Sequence, residues 1–357
     1  MIKLLIVDDS ALMRRQLMNL FQAEGDFEVH QARNGAEAVR ENAEFQPDVV
    51  TLDINMPEMD GLTALSLIMA ERPVAVVMVS SLTNEGALAT FEALNLGAVD
   101  YVAKPGGTIS LSIDRITEQL VAKVRGAAGA RPRGKGRSAA GVVRRMQEER
   151  KKTVQETFAI KRSLGATDGL LVVGASTGGP RALEIVLSGL PEGFPWPVLV
   201  AQHMPAAFTR AFADRLNQCC ALQVVEAASA LAVEPGKIYI GKGGADILLT
   251  NRAGRLTVLP SPENPAYLWH PSVELLGRSV LQHYDPKRTT AVLLTGMGHD
   301  GSDAFTEIKK RGGHTIAESE DSAVVYGMPA ELVNKGGASL VLAVEKIAAQ
   351  LSTWAGR

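Results

Sequence analysis

Along the first third of the chain, short apolar runs alternate with stretches whose apolar positions recur every three to four residues. The runs at 3–8, 27–32, 48–53, 74–80 and 98–102 predict buried strands, and the stretches at 10–23, 36–45 and 62–70 predict amphipathic helices. Strands that alternate with helices imply a parallel sheet with helices on both faces. The same alternation returns after residue 167, with strands at 170–173, 198–202, 291–295 and 315–317. Helices are predicted there at 180–190, 206–218 and 271–283, with two more closing the chain. The segment 222–260 breaks the rhythm and predicts short strands with polar turns, hairpins set beside the main sheet. Between the two alternating regions, 123–137 is rich in Gly, Ala, Pro and Arg and cannot bury a core. Residues 142–164 are charged, with few Gly or Pro, and can be helical. The expected organisation is two α/β domains, 1–122 and 167–357, each a doubly wound, mostly parallel sheet. A basic, partly helical linker spans 123–166.

Composition narrows the function classes. The 357 residues carry a formal net charge of −2, which argues against nucleic-acid binding. The linker residues Arg144, Arg145, Arg150, Lys151 and Lys152 form a basic patch. No aromatic residues interleave there to stack on bases, so a solvated helix is the expected reading. The two cysteines, Cys219 and Cys220, are adjacent, which gives neither a disulfide framework nor metal spacing and suits a reducing compartment. No apolar run is long enough to span a bilayer, and the first run ends in acids without a signal-peptide cleavage pattern. The expectation is a cytoplasmic protein with no membrane insertion.

In open parallel sheets, ligands sit beyond the carboxyl ends of the strands. In the first domain those ends carry Asp8 and Asp9, Asp53, Ser80 and, just past the fifth strand, Lys104. A single Asp at a strand end is usually a turn or cap residue. Three carboxylates in one crevice repel one another unless a cation neutralises them, and hard oxygen donors favour Mg²⁺. These residues, within Val7-Asp-Asp-Ser10, Leu52-Asp-Ile-Asn-Met-Pro-Glu-Met-Asp-Gly61, Val79-Ser-Ser81 and Lys104-Pro105, resemble the receiver domain of two-component response regulators. The resemblance implies a flavodoxin-like fold in which Asp53 accepts a phosphoryl group from a histidine kinase. It implies that Asp8, Asp9, Asp53 and the carbonyl of Asn55 hold Mg²⁺, and that Ser80 and Lys104 contact the phosphoryl oxygens. It also implies that Tyr101 moves with activation and that the Lys104–Pro105 bond is cis.

The second domain opens with Leu170-Leu-Val-Val-Gly-Ala-Ser-Thr-Gly-Gly-Pro180, a buried strand, a Gly-x-Ser-x-Gly turn and a helix start. That context presents a serine hydroxyl as a nucleophile, with backbone N–H groups of the new helix beside it. A phosphate-binding turn uses the same N–H geometry, but neither a Gly-x-Gly-x-x-Gly fingerprint nor a P-loop lysine is present. Three parallel strands end in Ser176, His203 and the loop that holds Asp300, so the three groups can converge at one sheet edge. Among the remaining histidines, His30 lies in the first domain, His283 and His314 have no site context, His270 precedes a proline and His299 neighbours Asp300. Asp246 and Asp303 are rivals to Asp300, which is favoured by its flanking glycines and the buried strand before it. The chain order Ser, His, Asp differs from the Ser, acid, His order of the α/β-hydrolases, so that fold is not assigned.

The segments Gly174–Pro180, Ala201-Gln-His-Met-Pro205, His270-Pro-Ser-Val-Glu-Leu-Leu276, Leu294-Thr-Gly-Met-Gly-His-Asp-Gly301 and Val324-Val-Tyr-Gly-Met-Pro329 resemble the catalytic domain of the chemotaxis protein-glutamate methylesterases. Departures from the family pattern fall at Glu274, Ser302 and Ala304. The resemblance implies Ser176 as nucleophile, His203 as general base, Asp300 as its orienting acid, the Met297 N–H as an oxyanion donor, and Thr177 beside the nucleophile. It implies phosphorylation-regulated hydrolysis of glutamate methyl esters on chemoreceptors, and deamidation of receptor glutamines, with no metal in the esterase site. An attached receiver sits at high effective concentration and can cover the active-site edge, and phosphorylating Asp53 is expected to weaken that cover or build an active arrangement. The alternative is a phosphorylation-dependent adaptor of a chemosensory array with weak or no esterase activity.

Overall fold

A computed structural model describes residues 1–80, 84–104, 110–130 and 169–356. The chain divides into two compact units, Met1–Ser138 and Ala139–Arg357.

In the first unit the strands β1 (Ile2–Val7), β2 (Phe27–Ala32), β3 (Val49–Asp53), β4 (Ala75–Ser80) and β5 (Asp100–Ala103) form one parallel sheet in the order β2-β1-β3-β4-β5. Strands β3 and β4 are buried along their whole length, as continuous apolar runs in a parallel sheet require. Side chains at the N-caps start the helices. Ser10 caps α1 (Ala11–Ala23), Asn34 caps α2 (Gly35–Phe45) and Asp60 caps α3 (Gly61–Glu71), each accepting a backbone N–H. A side chain at Gly61 would bring its Cβ within 2.0 Å of the Asp53 carbonyl, so α3 starts hard against the end of β3. Two further helices follow, α4 (Asn84–Leu96) and α5 (Ser110–Ala128).

Helix α5 runs past the boundary expected at residue 122. Lys123 is buried, with Nζ 3.0 Å from Asp100 Oδ1 and 3.0 Å from the Tyr101 carbonyl, and Val124 and Ala127 are fully covered. The composition of this stretch resembles a linker only while Lys123 is taken as solvated. Its ion pair and the apolar face beside it hold the helix in the first unit. The basic patch at 144–152 and the Lys104–Pro105 bond lie outside the described residues.

In the second unit seven parallel strands run in the order β15-β14-β13-β6-β7-β10-β8. They are β6 (Leu170–Ala175), β7 (Val198–Gln202), β8 (Gln223–Ala227), β10 (Lys237–Gly241), β13 (Thr289–Leu293), β14 (His314–Glu318) and β15 (Leu340–Leu342). The helices are α6 (Gly179–Ser188), α7 (Ala206–Cys219), α8 (Val273–His283), α9 (Ser302–Lys310), α10 (Met328–Asn334) and α11 (Val344–Ala355). The segment 222–260 divides its strands between two sheets. β11 (Asp246–Arg252) and β12 (Arg255–Ser261) make the expected hairpin, joined by β9 (Leu231–Ala232). β8 and β10 instead extend the main sheet in parallel, and Ala227 and Tyr239 on them are buried in one cluster with Ile247, Leu249 and Val258 of the hairpin. β6 lies between β7 on one side and β13 on the other, so the strand order turns at β6. That switch point opens a crevice at the carboxyl ends of the three strands.

Candidate active site

The turn between β6 and α6 holds Ser176. Its backbone is fixed on both sides, since the Ser176 N–H donates to the Thr295 carbonyl (3.0 Å) and its carbonyl accepts from the Gly179 N–H (2.7 Å). Gly178 has φ +75°, and a Cβ there would lie 2.6 Å from the Cβ of Val324. Backbone conformation and close packing both demand glycine at that position.

His203 follows the last residue of β7, and its N–H donates to the Ala175 carbonyl (3.1 Å). The imidazole Nδ1 lies 2.9 Å from Ser176 Oγ, and Nε2 lies 2.7 Å from Asp300 Oδ2. The Asp300 carboxylate rests on the N-terminus of α8. Oδ2 also accepts the Val273 N–H (2.7 Å), and Oδ1 accepts Ser272 Oγ–H (3.0 Å) and the Glu274 N–H (2.9 Å). Burial pushes the Asp300 carboxyl up. His203 and the N–H groups of Glu274 and Val273 outweigh that and hold it below the ordinary range. An ionised Asp300 is an acceptor only, so the imidazole donates from Nε2 and turns its Nδ1 lone pair to the serine hydroxyl. The arrangement can therefore remove the Ser176 proton when the oxygen attacks an electrophile. The Trp269 ring lies parallel to the imidazole, with centroids 5.5 Å apart and planes at 8°.

The loop after β13 passes beside the serine. A Cβ on Gly296 would lie 2.8 Å from Ser176 Cβ, and the Gly296 carbonyl accepts the Met328 N–H (2.8 Å), which pins the loop. Met297 follows and is half-buried. Thr177 is buried, and its carbonyl accepts from Thr295 Oγ (2.8 Å).

In the first unit, carboxylate oxygens of Asp8, Asp9 and Asp53 lie within 4.8 Å of one another. Lys104 Nζ is 2.6 Å from Asp53 Oδ2 and 3.0 Å from Asp8 Oδ2. Burial pushes the Asp53 carboxyl above its ordinary range, and Lys104 offsets this only in part. A hard-oxygen set of this kind suits Mg²⁺. The Asn55 N–H points to Asp53 Oδ1 at 3.4 Å, and Ser80 Oγ donates to the Gly86 carbonyl at 3.3 Å. Tyr101 is buried, with the Lys123 ammonium 5.1 Å from its ring centre.

Two family descriptions match the chain, CheB methylesterase over residues 171–351 and response regulator receiver domain over residues 4–113. A protein-glutamate methylesterase/protein-glutamine glutaminase of Rhodospirillum rubrum is 54% identical over 368 residues, covering 100% of this chain and 97% of the relative. One from Rhodopseudomonas palustris is 52% identical, covering 99% of this chain and 98% of the relative. The chain belongs to the CheB methylesterase family. The crystal structure of the Thermotoga maritima CheB methylesterase catalytic domain is 36% identical over 52% of this chain and 98% of its own, with a TM-score of 0.50.

Several residues around this CheB-type site escape a reading of sequence alone. Ser272 caps α8 through Leu275 N–H (3.2 Å) and also donates to Asp300. A Ser before a helix reads simply as a cap, so its second role appears only once the Asp300 loop is placed. Asp246 was a rival to Asp300. It is buried below α8, where Oδ1 accepts the Ser272 N–H (2.8 Å) and faces His270 Nδ1 (2.9 Å), and Oδ2 accepts the Asn264 N–H (3.1 Å). Asp246 thus braces the segment that holds Asp300. The other rival, Asp303, pairs with Lys335 at the surface. Glu274, a departure from the family pattern, accepts the Ala304 N–H at 2.9 Å and ties α8 to the start of α9.

Proposed function

We propose that this chain hydrolyses γ-glutamyl methyl esters on chemoreceptors, and deamidates receptor glutamines, with Ser176, His203 and Asp300 as its working groups. The reading is carried by one observation, the continuous relay from Ser176 Oγ through His203 to Asp300 at 2.9 and 2.7 Å. The serine oxygen attacks the ester carbonyl while Nδ1 takes its proton. Asp300 stabilises the imidazolium through Nε2–H. The Met297 N–H donates to the oxygen that becomes negative, with Thr177 beside it. The intermediate collapses as Nδ1 returns the proton to departing methanol. Water, activated by the same nitrogen, then releases the glutamate and frees Ser176. With a glutamine side chain the leaving group is ammonia and the steps are the same.

The receiver makes this activity respond to a histidine kinase. Asp53 is the phosphoryl acceptor, and Asp8, Asp9, Asp53 and the Asn55 carbonyl are the residues that would hold Mg²⁺. That ion supplies charge neutralisation for phosphoryl transfer. Ser80 and Lys104 face the phosphoryl oxygens, and Tyr101 is the aromatic that responds. No helix among the described residues is long and apolar enough to cross a membrane. We place the enzyme in the cytoplasm, where the kinase acts. The test is methanol release from methylated receptor membranes with and without a small-molecule phosphodonor and Mg²⁺. Release should rise with phosphodonor in the wild type and not in Asp53→Asn. Equal release in both proteins under both conditions removes the regulatory half of the proposal.

A further inference from the structure

The β6–β7 ladder ends at the pair Ala175 and Gln202. The last backbone bond between the two strands runs from the His203 N–H to the Ala175 carbonyl (3.1 Å), and the Ser176 and His203 carbonyls lie just beyond it. The Gln202 side chain bridges those two carbonyls. Its Nε2 donates to the Ser176 carbonyl (3.0 Å) and to the His203 carbonyl (3.0 Å). A carboxamide nitrogen carries two N–H groups, and both are committed here. The side chain is 2% exposed. The other end of the amide, Oε1, is buried with no hydrogen-bond partner among the described residues. It lies over α6, where a Cβ at Gly179 would come within 2.0 Å of it.

A buried acceptor without a donor costs free energy, and an apolar side chain of similar length would avoid that cost. The amide cannot improve its position by flipping, because Oε1 would then face two carbonyl oxygens. The unsatisfied end is tolerated for what the donor end does. Gly179 keeps the pocket open for it.

We propose that Gln202 is a positioning residue for the hydrolysis, a clamp that sets the separation of the nucleophile and its base by holding their two carbonyls. This rests on the esterase reading above. The clamp ties the two strand ends together just beyond their last backbone bond, where their separation sets the contact of Ser176 Oγ with His203 Nδ1. Gln202 touches neither substrate nor any reacting atom, so its effect passes through Ser176 and His203.

The test uses full-length Gln202→Glu, which keeps the shape but donates no N–H when ionised, and Gln202→Met, which keeps the length and removes all polarity. Methanol release is measured per active site, with sites counted by a serine-directed fluorophosphonate. Misplacing reacting groups by a fraction of an ångström lowers kcat roughly 10- to 100-fold, and KM should stay within about twofold. The fluorophosphonate labelling rate should fall in parallel. A purely structural role would lower the melting temperature and the number of active sites while leaving kcat per site unchanged. That result, or kcat per site within about twofold of wild type in either folded variant, overturns the proposal. If neither variant folds, the wild-type side-chain amide decides by nuclear magnetic resonance. Both Gln202 N–H protons should exchange far more slowly than those of a free glutamine, and exchange at the free rate overturns the clamp. Ser176→Ala runs alongside, because methanol release surviving in it would sink the esterase reading itself.

Discussion

Asp300→Asn is the most informative single change in the esterase site. The native carboxylate accepts four hydrogen bonds, two on each oxygen. An amide replaces one oxygen with a donor and meets a conflict either way round. With its NH₂ in the Oδ2 position it faces the Val273 N–H and forces His203 into the other tautomer. With its NH₂ in the Oδ1 position it faces the Glu274 N–H, but Ser272 Oγ can turn and accept. The second orientation is preferred, since the hydroxyl adapts and the imidazole keeps its tautomer. What is then lost is the negative charge that the imidazolium needs as the serine proton moves to Nδ1. Breaking a buried charge pair by removing one partner costs about 3–5 kcal/mol. At about 1.36 kcal/mol per tenfold in rate, kcat should fall roughly 10²- to 10⁴-fold. The charge pair exists only once the proton has moved, so KM should change little. Initial rates of methanol release over a range of methylated receptor concentrations separate the two constants. A kcat within about threefold of wild type, in folded protein, would refute the assignment of Asp300. A large rise in KM with kcat unchanged would mean that Asp300 binds substrate instead.

Three further outcomes follow from the same structure. The folded Asp300 carboxyl is held below its ordinary range, so its contribution to stability is complete above the unfolded value of about 3.9 and is lost as pH falls through the lower folded value. Urea unfolding from pH 6 downward should show the stability gap between wild type and Asp300→Asn shrinking below about pH 4; a gap that widens there contradicts the sign. Lys123→Met removes the ammonium partner of buried Asp100 and should destabilise the first unit by about 3–5 kcal/mol, part of which Asp100→Asn/Lys123→Met restores, as read by hydrogen exchange in β5. Mg²⁺ at a hundred times its dissociation constant should stabilise the first unit by about 2.7 kcal/mol, and Asp9→Asn should reduce the shift in melting temperature; no shift at millimolar Mg²⁺ contradicts the site.

Most of the fold and the centre of the site were readable from the chain because they depend on local patterns. Continuous apolar runs that end in Asp8, Asp53, Ala175 and Gln202 mark parallel strands, and function gathers where such runs stop. The Ser176, His203 and Asp300 convergence needed only strand direction, which the alternation with helices supplies. Long-range pairing was harder to read. β8 and β10 look like hairpin strands because polar turns flank them, and only their partners show that they belong to the main sheet. Lys123 reads as linker because lysine is seldom buried, and its acid lies 23 residues earlier on another element. Asp246 and Ser272 support Asp300 from 54 and 28 residues away in sequence, a relation no spacing rule carries.

The central claim is that Ser176 carries the hydrolysis. Methanol release from methylated receptor membranes by wild type and by Ser176→Ala, both full length and phosphodonor-treated, tests it directly. The account predicts release by the wild type and none above the uncatalysed background by Ser176→Ala, with both proteins unfolding at the same temperature. Release by Ser176→Ala at a rate near that of the wild type would contradict it.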